Sequence, residues 1–164
     1  MTLVDRHIKQ EPPNITTVMA ADVWPIRHAA YFPDSPDRPL TLSQETGDED
    51  PTTTHFGLIC AGEIVGVATL MDTPSPHTEH FSPWRLRGMA VLPEHQGHGY
   101  GADLLNHCVS RIAQNGGGLL WGNIRSGAYE FYQRFNFNLA EDVFYAPSGT
   151  PHRYGELLIP ALQS

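Results

Sequence analysis

The sequence predicts an α/β fold with a mixed, mostly antiparallel central sheet flanked by helices. Short runs of β-branched and apolar residues, bounded by Gly, Pro and Asn, recur along the chain and indicate strands. Three other segments space their apolar residues at helical intervals. Patterns typical of β-hairpins occur toward both ends of the sequence. They indicate antiparallel strands, because a fully parallel sheet needs a crossover between successive strands. The 164 residues suffice for one ordinary domain and are too few for two.

The chain opens with a polar segment, residues 1–13, which we interpret as a loose lead-in to a single domain over 1–164. A short strand is predicted over 14–18. The apolar residues of 20–31 recur at helical spacing and predict a helix, although Pro25 should restrict that helix to a first-turn position.

A long surface excursion is predicted next, over residues 33–54, because Pro, Asp and Thr dominate there. It could hold one edge strand, over 40–44. Six acidic residues lie between Asp34 and Asp50, opposed only by Arg38. We interpret them as a solvated acidic loop rather than a cation site.

The middle of the chain predicts an antiparallel hairpin, 55–60 and 63–71, turned at Ala61-Gly62. A proline-rich loop over 72–83 leads to an apolar strand over 84–92, which stops at a proline. The glycine-rich link 96–101 opens a helix that ends at the glycines of 115–118. The remaining predicted elements are a buried strand over 119–123, a helix over 126–134, and strands over 139–146 and 154–159.

Composition excludes several classes of protein. The net charge is −8 and no cluster of Lys and Arg is present, which disfavours nucleic-acid binding. No window approaches the roughly 18 apolar residues of a membrane span, and the N-terminus lacks a secretory h-region, so we expect a cytoplasmic protein that does not enter membranes. Cys60 and Cys108 fall within apolar patterns and are expected to be small buried side chains rather than a disulfide or metal pair.

The glycine link is the first feature that points to a ligand. Its glycines, Gly97, Gly99 and Gly101, let the backbone approach a ligand while N–H groups point out of the helix start, an arrangement that favours anions such as pyrophosphate. A tight structural turn is the alternative. A P-loop is excluded because no Gly-Lys-Ser/Thr follows, and a dinucleotide fingerprint fits poorly in both glycine spacing and the missing downstream acid.

Gln96-x-x-Gly99-x-Gly101 resembles the acyl-CoA signature Q/R-x-x-G-x-G/A of the GNAT superfamily of N-acyltransferases. Asn123 with the segment 128–137 is similar to the later N-x-x-x-x-A-x-x-F-Y-x-x-x-G-F pattern of that superfamily. Asn136 replaces the usual Gly, and Asn also tolerates the left-handed conformation expected there. The resemblance covers 84–137 and implies a GNAT-like sheet whose central strands splay apart.

This resemblance implies acetyl-CoA as acyl donor. The main chain of the strand at Met89 to Val91 would pair with the pantetheine arm and polarise the thioester carbonyl, while the glycine link would receive the pyrophosphate. His98 could equally be an exposed turn residue. The implied acyl-CoA-binding residues are Met89, Ala90, Val91, Gln96, Gly97, His98, Gly99, Gly101, Ala102 and Asn123.

The resemblance also implies a catalytic residue, Tyr132, beside the leaving sulfur; the alternative is an aromatic side chain packed on the sheet. A phenol can protonate a departing thiolate, whose pKa is roughly 8.5. No general base is identified, because Arg85 stands where some protein-lysine acetylating members carry Glu. The candidates, which could each be ordinary loop residues, are Glu79, His80 and His152.

The expected function is therefore transfer of an acetyl group from acetyl-CoA to an amine, with a small-molecule acceptor, and the acidic surface favours cationic acceptors. The missing strand acid motivates an alternative, a non-catalytic acyl-CoA sensor. No metal is expected, because His77 and His80 on a proline-rich loop offer neither a helix face nor a third ligand. Exposed terminal strands could pair in a homodimer. The acceptor and acyl-chain length stay open.

Overall fold

Seven strands form one open sheet in the computed structural model, which describes residues 13–163. The predicted lead-in therefore lies almost wholly outside the described residues. The strand order is β1-β2-β3-β4-β5-β7-β6, and every pair except β4 and β5 is antiparallel, which confirms the predicted fold class. The strands are β1 Asn14–Val18, β2 Thr54–Cys60, β3 Glu63–Met71, β4 Pro83–Val91, β5 Gly118–Arg125, β6 Asn138–Tyr145 and β7 Pro151–Ile159; the helices are α1 Ala20–Tyr31, α2 Tyr100–Gln114 and α3 Tyr129–Arg134.

The predicted hairpin is confirmed as β2 and β3. Its two turn residues, Ala61 and Gly62, both have positive φ, at 51° and 80°. Two consecutive left-handed residues are the geometry of a type I′ turn, whose twist matches that of the flanking strands.

The helix predicted over residues 20–31 is confirmed, but its predicted restriction by Pro25 is wrong. Pro25 is the sixth residue of α1 and removes one backbone donor without ending the helix. The first turn is capped because the Asp22 carboxylate accepts a hydrogen bond of 2.9 Å from the Met19 N–H. Further along, Val23 and Arg27 are fully buried, so tertiary packing holds the helix beyond the proline.

The predicted edge strand over 40–44 is wrong. Residues Leu40–Ser43 form a 3-10 turn that starts after Pro39. Leu40 and Leu42 are 42% and 53% exposed, so their alternation does not face the core. The buried residue is Ser43, whose carbonyl accepts a hydrogen bond of 3.2 Å from Arg27.

The acidic excursion is not wholly solvated, contrary to the prediction. Asp48 is 4% exposed and forms a two-pronged ion pair with Arg27, at 2.6 and 3.1 Å. The Trp24 indole also donates to the Asp48 carboxylate, and Arg27 reaches Thr69 on β3. This buried pair ties α1 and the excursion to the sheet.

The two faces of the sheet are covered differently. On one face α2 contributes Leu104, Leu105, Cys108 and Ile112, all fully buried, to a cluster shared with α3. On the other face α1 adds the small cluster of Val23, Val67 and Ala90 beside the buried ion pair. Cys60 packs half-buried against the larger cluster, and neither thiol forms a disulfide within the described chain.

The segment after β5 begins as a 3-10 turn, Ser126–Ala128, and continues as α3, so the helix predicted over 126–134 is regular only in its second half. Asn136 has a φ of 66°, the left-handed conformation expected at this position. Of the helices between residues 13 and 163, none is long and apolar enough to cross a membrane.

Candidate active site

A cleft opens in the middle of the sheet, where β4 and β5 separate. The two strands are paired only from Pro83 to Arg85 on β4 and from Leu119 to Trp121 on β5. Beyond these residues β4 continues along β3 and β5 continues along β7. The predicted splay of the central strands is therefore present, at the carboxyl ends of the only parallel pair described, where ligands commonly bind in α/β sheets.

The β4 edge of the cleft is shaped by a bulge at Gly88. The register with β3 shifts between Val67 and Thr69, and Gly88 has a φ of 60°. The bulge moves Met89 and Val91 onto the α2 side, whereas Arg85 and Arg87 lie on the α1 side. A Cβ at Gly88 would clash with the Arg27 Nε, so the buried ion pair packs directly beneath the bulge.

Backbone groups of β4 face this cleft. The Leu92 N–H donates 2.8 Å to the Val65 carbonyl, and successive residues of a ladder turn their amides to opposite sides. The Val91 amide therefore points away from β3, toward the gap. The side chain of Gln96 confirms this orientation, because its Nε2 donates 3.0 Å to the Val91 carbonyl. Gln96 thus connects the glycine link to the strand.

The glycine link forms an open cradle at the start of α2. Gly97 and Gly99 have φ of 83° and 81°, and no atom of residues 13–163 lies within 4 Å of a Cβ built on either. Gly99 is the N-cap, and among the described residues no side chain caps the helix. The N–H groups of Tyr100, Gly101 and Ala102 precede the first intrahelical bond, which Asp103 donates to Gly99. These donors and the helix dipole favour an anion in the open space.

His98 lies at the rim of this cradle and is exposed. Its Nδ1 is 3.0 Å from the His95 carbonyl, and its ring stacks on Tyr100 at 5.5 Å. The ring is thus positioned by neighbours within the link. Its Nε2 is the atom available to a phosphate.

Tyr132 lies on α3, at the border between the core and the cleft. Its residue is 8% exposed, and its ring packs edge-on against Phe131 and Phe137. Within residues 13–163 the Tyr132 hydroxyl makes no hydrogen bond. It is also not one of the fully enclosed polar atoms that lack a partner. Burial raises the pKa of Tyr132 above its ordinary value, with Arg125 opposing this effect. The phenol therefore stays protonated at neutral pH.

The α1-side face of the cleft carries a concentration of charge that sequence reasoning missed. Arg87 pairs with Glu45 from the acidic excursion. The Arg85 guanidinium lies 5.0 Å from the centre of the Trp121 ring. Burial, together with the charge of Glu45, raises the pKa of Tyr31 to about 12. Alternation of side chains along β4 and β5 was the available signal, since Arg85, Arg87 and Trp121 then share a face.

Asn123 and Arg125 follow Trp121 on the same face of β5, and both are exposed. The register places Asn123 opposite Tyr154 and Arg125 opposite His152 on β7. His152 is therefore the candidate base on the open side of the splay. Its Nδ1 lies 2.9 Å from the Thr150 carbonyl, which leaves Nε2 for a ligand.

The other two candidate bases lie elsewhere. Glu79 and His80 precede Pro83, at the paired end of β4 and β5. The His80 Nδ1 accepts a hydrogen bond of 3.0 Å from the Ser82 N–H. Beside them, the Thr78 hydroxyl donates 2.7 Å to Glu156 on β7, the residue paired with Trp121. A role of Glu79 or His80 as the base stays a prediction. Within the described part of the chain, no group of three or more His, Cys, Asp or Glu is placed to hold a metal ion.

Known proteins share both the sequence pattern and this fold. The family described as acetyltransferase (GNAT) domain matches residues 51–139. YitI, an uncharacterized N-acetyltransferase of Bacillus subtilis strain 168, is 23% identical over 133 residues, or 81% of this chain and 87% of the relative. An acyl-CoA N-acyltransferase from Pseudomonas aeruginosa has a TM-score of 0.71 and 14% identity, covering 88% of this chain and 99% of its own. An aminoglycoside 6'-N-acetyltransferase complexed with coenzyme A has a TM-score of 0.64 and 12% identity, covering 92% and 99%.

Proposed function

Because this chain belongs to the GNAT family of acetyltransferases, we propose that it transfers the acetyl group of acetyl-CoA to the amine of a small molecule. The family makes it an acyl-CoA-dependent acyltransferase. The acetyl group, the small acceptor and the roles of individual residues are the parts that we propose. An aminoglycoside acetyltransferase among the structural neighbours supports a small amine as acceptor.

One observation supports the position that we propose for acetyl-CoA. The uncapped start of α2 and the open space over Gly97 and Gly99 lie at the end of a β4 edge whose Val91 amide faces the cleft. Pyrophosphate fits the first of these features because it is an anion that accepts hydrogen bonds from N–H groups. The pantetheine arm fits the second because it carries amides that can extend a strand edge. The residues of the cradle and the edge would thus bind the two chemically different parts of one ligand.

Tyr132 is proposed as the general acid. The lone pair of the neutral amine attacks the thioester carbonyl carbon, and N–H groups of β4 stabilise the developing oxyanion. The C–S bond then breaks, and the sulfur takes the phenolic proton of Tyr132. The phenolate recovers a proton from the nitrogen that has formed the amide, so the enzyme is regenerated. Burial keeps the Tyr132 phenol protonated before each turnover, as a general acid must be.

His152 is proposed as the group that accepts the proton of the incoming ammonium. An amine with a pKa near 10.4 is about one part in a thousand neutral at cytosolic pH, so a base increases the reactive fraction. Its position opposite Arg125, on the open side of the splay, supports this assignment.

Two measurements test the proposed function. Calorimetry should detect binding of acetyl-CoA, and a thiol-release assay with pooled small amines should detect turnover. Tight acetyl-CoA binding without thiol release over a broad amine panel would favour the non-catalytic sensor. Absence of binding heat would remove the cradle assignment itself.

A further inference from the structure

We propose that Arg85 binds a carboxylate of the acceptor, so that the substrate is an amine that also carries an anionic group. This inference rests on the proposed function and names its substrate class. It replaces the expectation of a cationic acceptor, which came from the overall charge of the chain rather than from the groups that face the site.

Arg85 lacks the partners that a partly buried guanidinium normally has. Within residues 13–163 no carboxylate lies within 4.0 Å of it, in contrast to Arg27 and Arg87, which each have an acidic partner. The Arg85 Nε is enclosed and makes no hydrogen bond with any residue that the structure describes. Its guanidinium lies over the Trp121 ring instead, and burial lowers the pKa of Arg85. The charge of Glu45 opposes this shift, but Glu45 is paired with Arg87, whose own charge adds to the shift, so a further anion would stabilise the desolvated Arg85.

A pocket of about 350 Å³ lies beside this guanidinium. Its walls are the end of β3, the two β4 arginines and residues 46–53 of the excursion. The volume suits a small molecule. Trp121 is fixed at one side because its indole N–H donates 2.9 Å to the Thr73 carbonyl, so Arg85 rests on a rigid support. The guanidinium is therefore held in place for a planar anion such as a carboxylate.

The acids that line this pocket do not neutralise Arg85. Asp50 and Asp72 are both exposed. One oxygen of the Asp50 carboxylate, Oδ1, accepts hydrogen bonds from the Thr52 N–H and hydroxyl, at 2.9 and 2.8 Å. A carboxylate that enters the pocket therefore meets Arg85 on the sheet side and these two acids only at the solvent side.

Position along β4 restricts the length of the acceptor. Arg85 is the last β4 residue paired with β5, and Met89, where we place the thioester, is four residues further, at most about 13 Å along the strand because the bulge at Gly88 shortens it. A hydrogen bond and an attack distance of about 3 Å each leave at most about 7 Å along the strand between the carboxylate and the reacting nitrogen. An extended ω-amino acid such as 6-aminohexanoate spans this distance, and glycine does not.

The test compares two acceptors of equal carbon number, 6-aminohexanoate and hexylamine, at saturating acetyl-CoA. The wild type should show a kcat/KM about 10- to 100-fold higher for 6-aminohexanoate, the range expected for a charge-assisted hydrogen-bonded pair. Arg85→Gln should remove this preference, and Arg85→Lys, which keeps the charge without the planar fork, should retain part of it. Arg134→Gln, which changes an arginine that is 78% exposed, is the matched control and should leave the preference intact.

A second measurement separates this inference from the proposed function. Calorimetric titration of 6-aminohexanoate into the CoA complex should give binding to the wild type and at least tenfold weaker binding to Arg85→Gln. Equal use of both acceptors, or a preference that survives Arg85→Gln, would overturn the role of Arg85 while leaving the transferase intact. Loss of CoA binding in the wild type would instead overturn the proposed function.

Discussion

The two faces of the central sheet are built on different principles. The face covered by α2 and α3 is an apolar core, in which Leu104, Leu105 and Ile112 are fully buried. The face covered by α1 is held by the buried pair of Arg27 and Asp48, and beyond α1 it exposes arginines to an open pocket. Apolar packing needs only shape and area, whereas a buried ion pair needs matched partners and leaves a large penalty when one is removed.

The difference between the two faces separates the positions proposed for the donor and the acceptor. The β4 bulge at Gly88 separates the faces, since Met89 and Val91 pack toward the apolar core and Arg85 and Arg87 toward the polar side. In the proposed function, the main-chain partners of the donor are thus supported by the apolar core, and the acceptor would meet charged groups. A site between the two faces can hold one substrate by backbone geometry and recognise the other by charge.

The largest effect is expected from Asp48→Asn, which breaks the polar face. It leaves the fully buried Arg27 without its anionic partner, so the free energy of unfolding should fall by about 3–5 kcal/mol. Urea denaturation measures this change. A loss below about 1 kcal/mol would show that the pair is not essential to that face. The matched control is Glu130→Gln, which removes an exposed ion pair and should cost less than about 0.5 kcal/mol.

The pH dependence of stability gives a second signature of the same pair. Burial alone would raise the pKa of Asp48, but hydrogen bonds from Arg27, the Glu45 N–H and Trp24 together lower it. A group whose pKa is lower in the folded state stabilises the protein above its unfolded pKa, about 3.9, and loses that contribution as the pH falls further. Asp48→Asn should therefore reduce the acid sensitivity of unfolding below about pH 4. Leu105→Ala, on the apolar face, should lower stability by about 2–5 kcal/mol without changing that sensitivity.

The same contrast explains how much the sequence could predict. Periodicity found α2 and the hairpin because each buries an apolar pattern, and the resemblance found the splay and the left-handed Asn136. Asp48 was unpredictable, since one acid among six looks like its neighbours until the fold brings it to Arg27, 21 residues away. The strand over 40–44 failed for a related reason, because Ser43 and not the leucines is the buried residue.

Some features of the candidate site could likewise be predicted from the sequence, and others could not. The glycine link could be predicted because positive φ at Gly97 and Gly99 depends on local sequence. The environment of Arg85 could not, because Trp121 reaches it from another strand and its lack of an acidic partner is a property of the folded chain.

The next largest effect should come from Tyr132→Phe, which tests whether a residue on the apolar face also does chemistry. Its ring is packed in the core, yet the hydroxyl makes no hydrogen bond within the described chain, so the stability should change by less than about 1 kcal/mol. Loss of the general acid should lower kcat by about 10- to 1000-fold while the affinity for acetyl-CoA stays within about twofold. Tyr145→Phe, which alters a tyrosine that is 69% exposed, should leave kcat unchanged. An unaltered kcat in Tyr132→Phe would remove this residue from the mechanism.

The smallest effect is expected from Gly99→Ala, at the cradle where the two faces meet the donor. The φ of 81° costs a non-glycine residue about 1–2 kcal/mol, and no atom of the described chain within 4 Å obstructs the added methyl group. The free link can relax to avoid this conformation, but the cradle requires it, so the affinity for CoA should fall by about 5- to 30-fold in calorimetry.

Gly149→Ala is the matched control, because Gly149 has a φ of 87°, equally open surroundings and a place in the turn between β6 and β7. It carries the same backbone strain far from the cradle, so its CoA affinity should equal that of the wild type. Equal affinities for both variants would mean that the conformation of the link does not contribute to CoA binding.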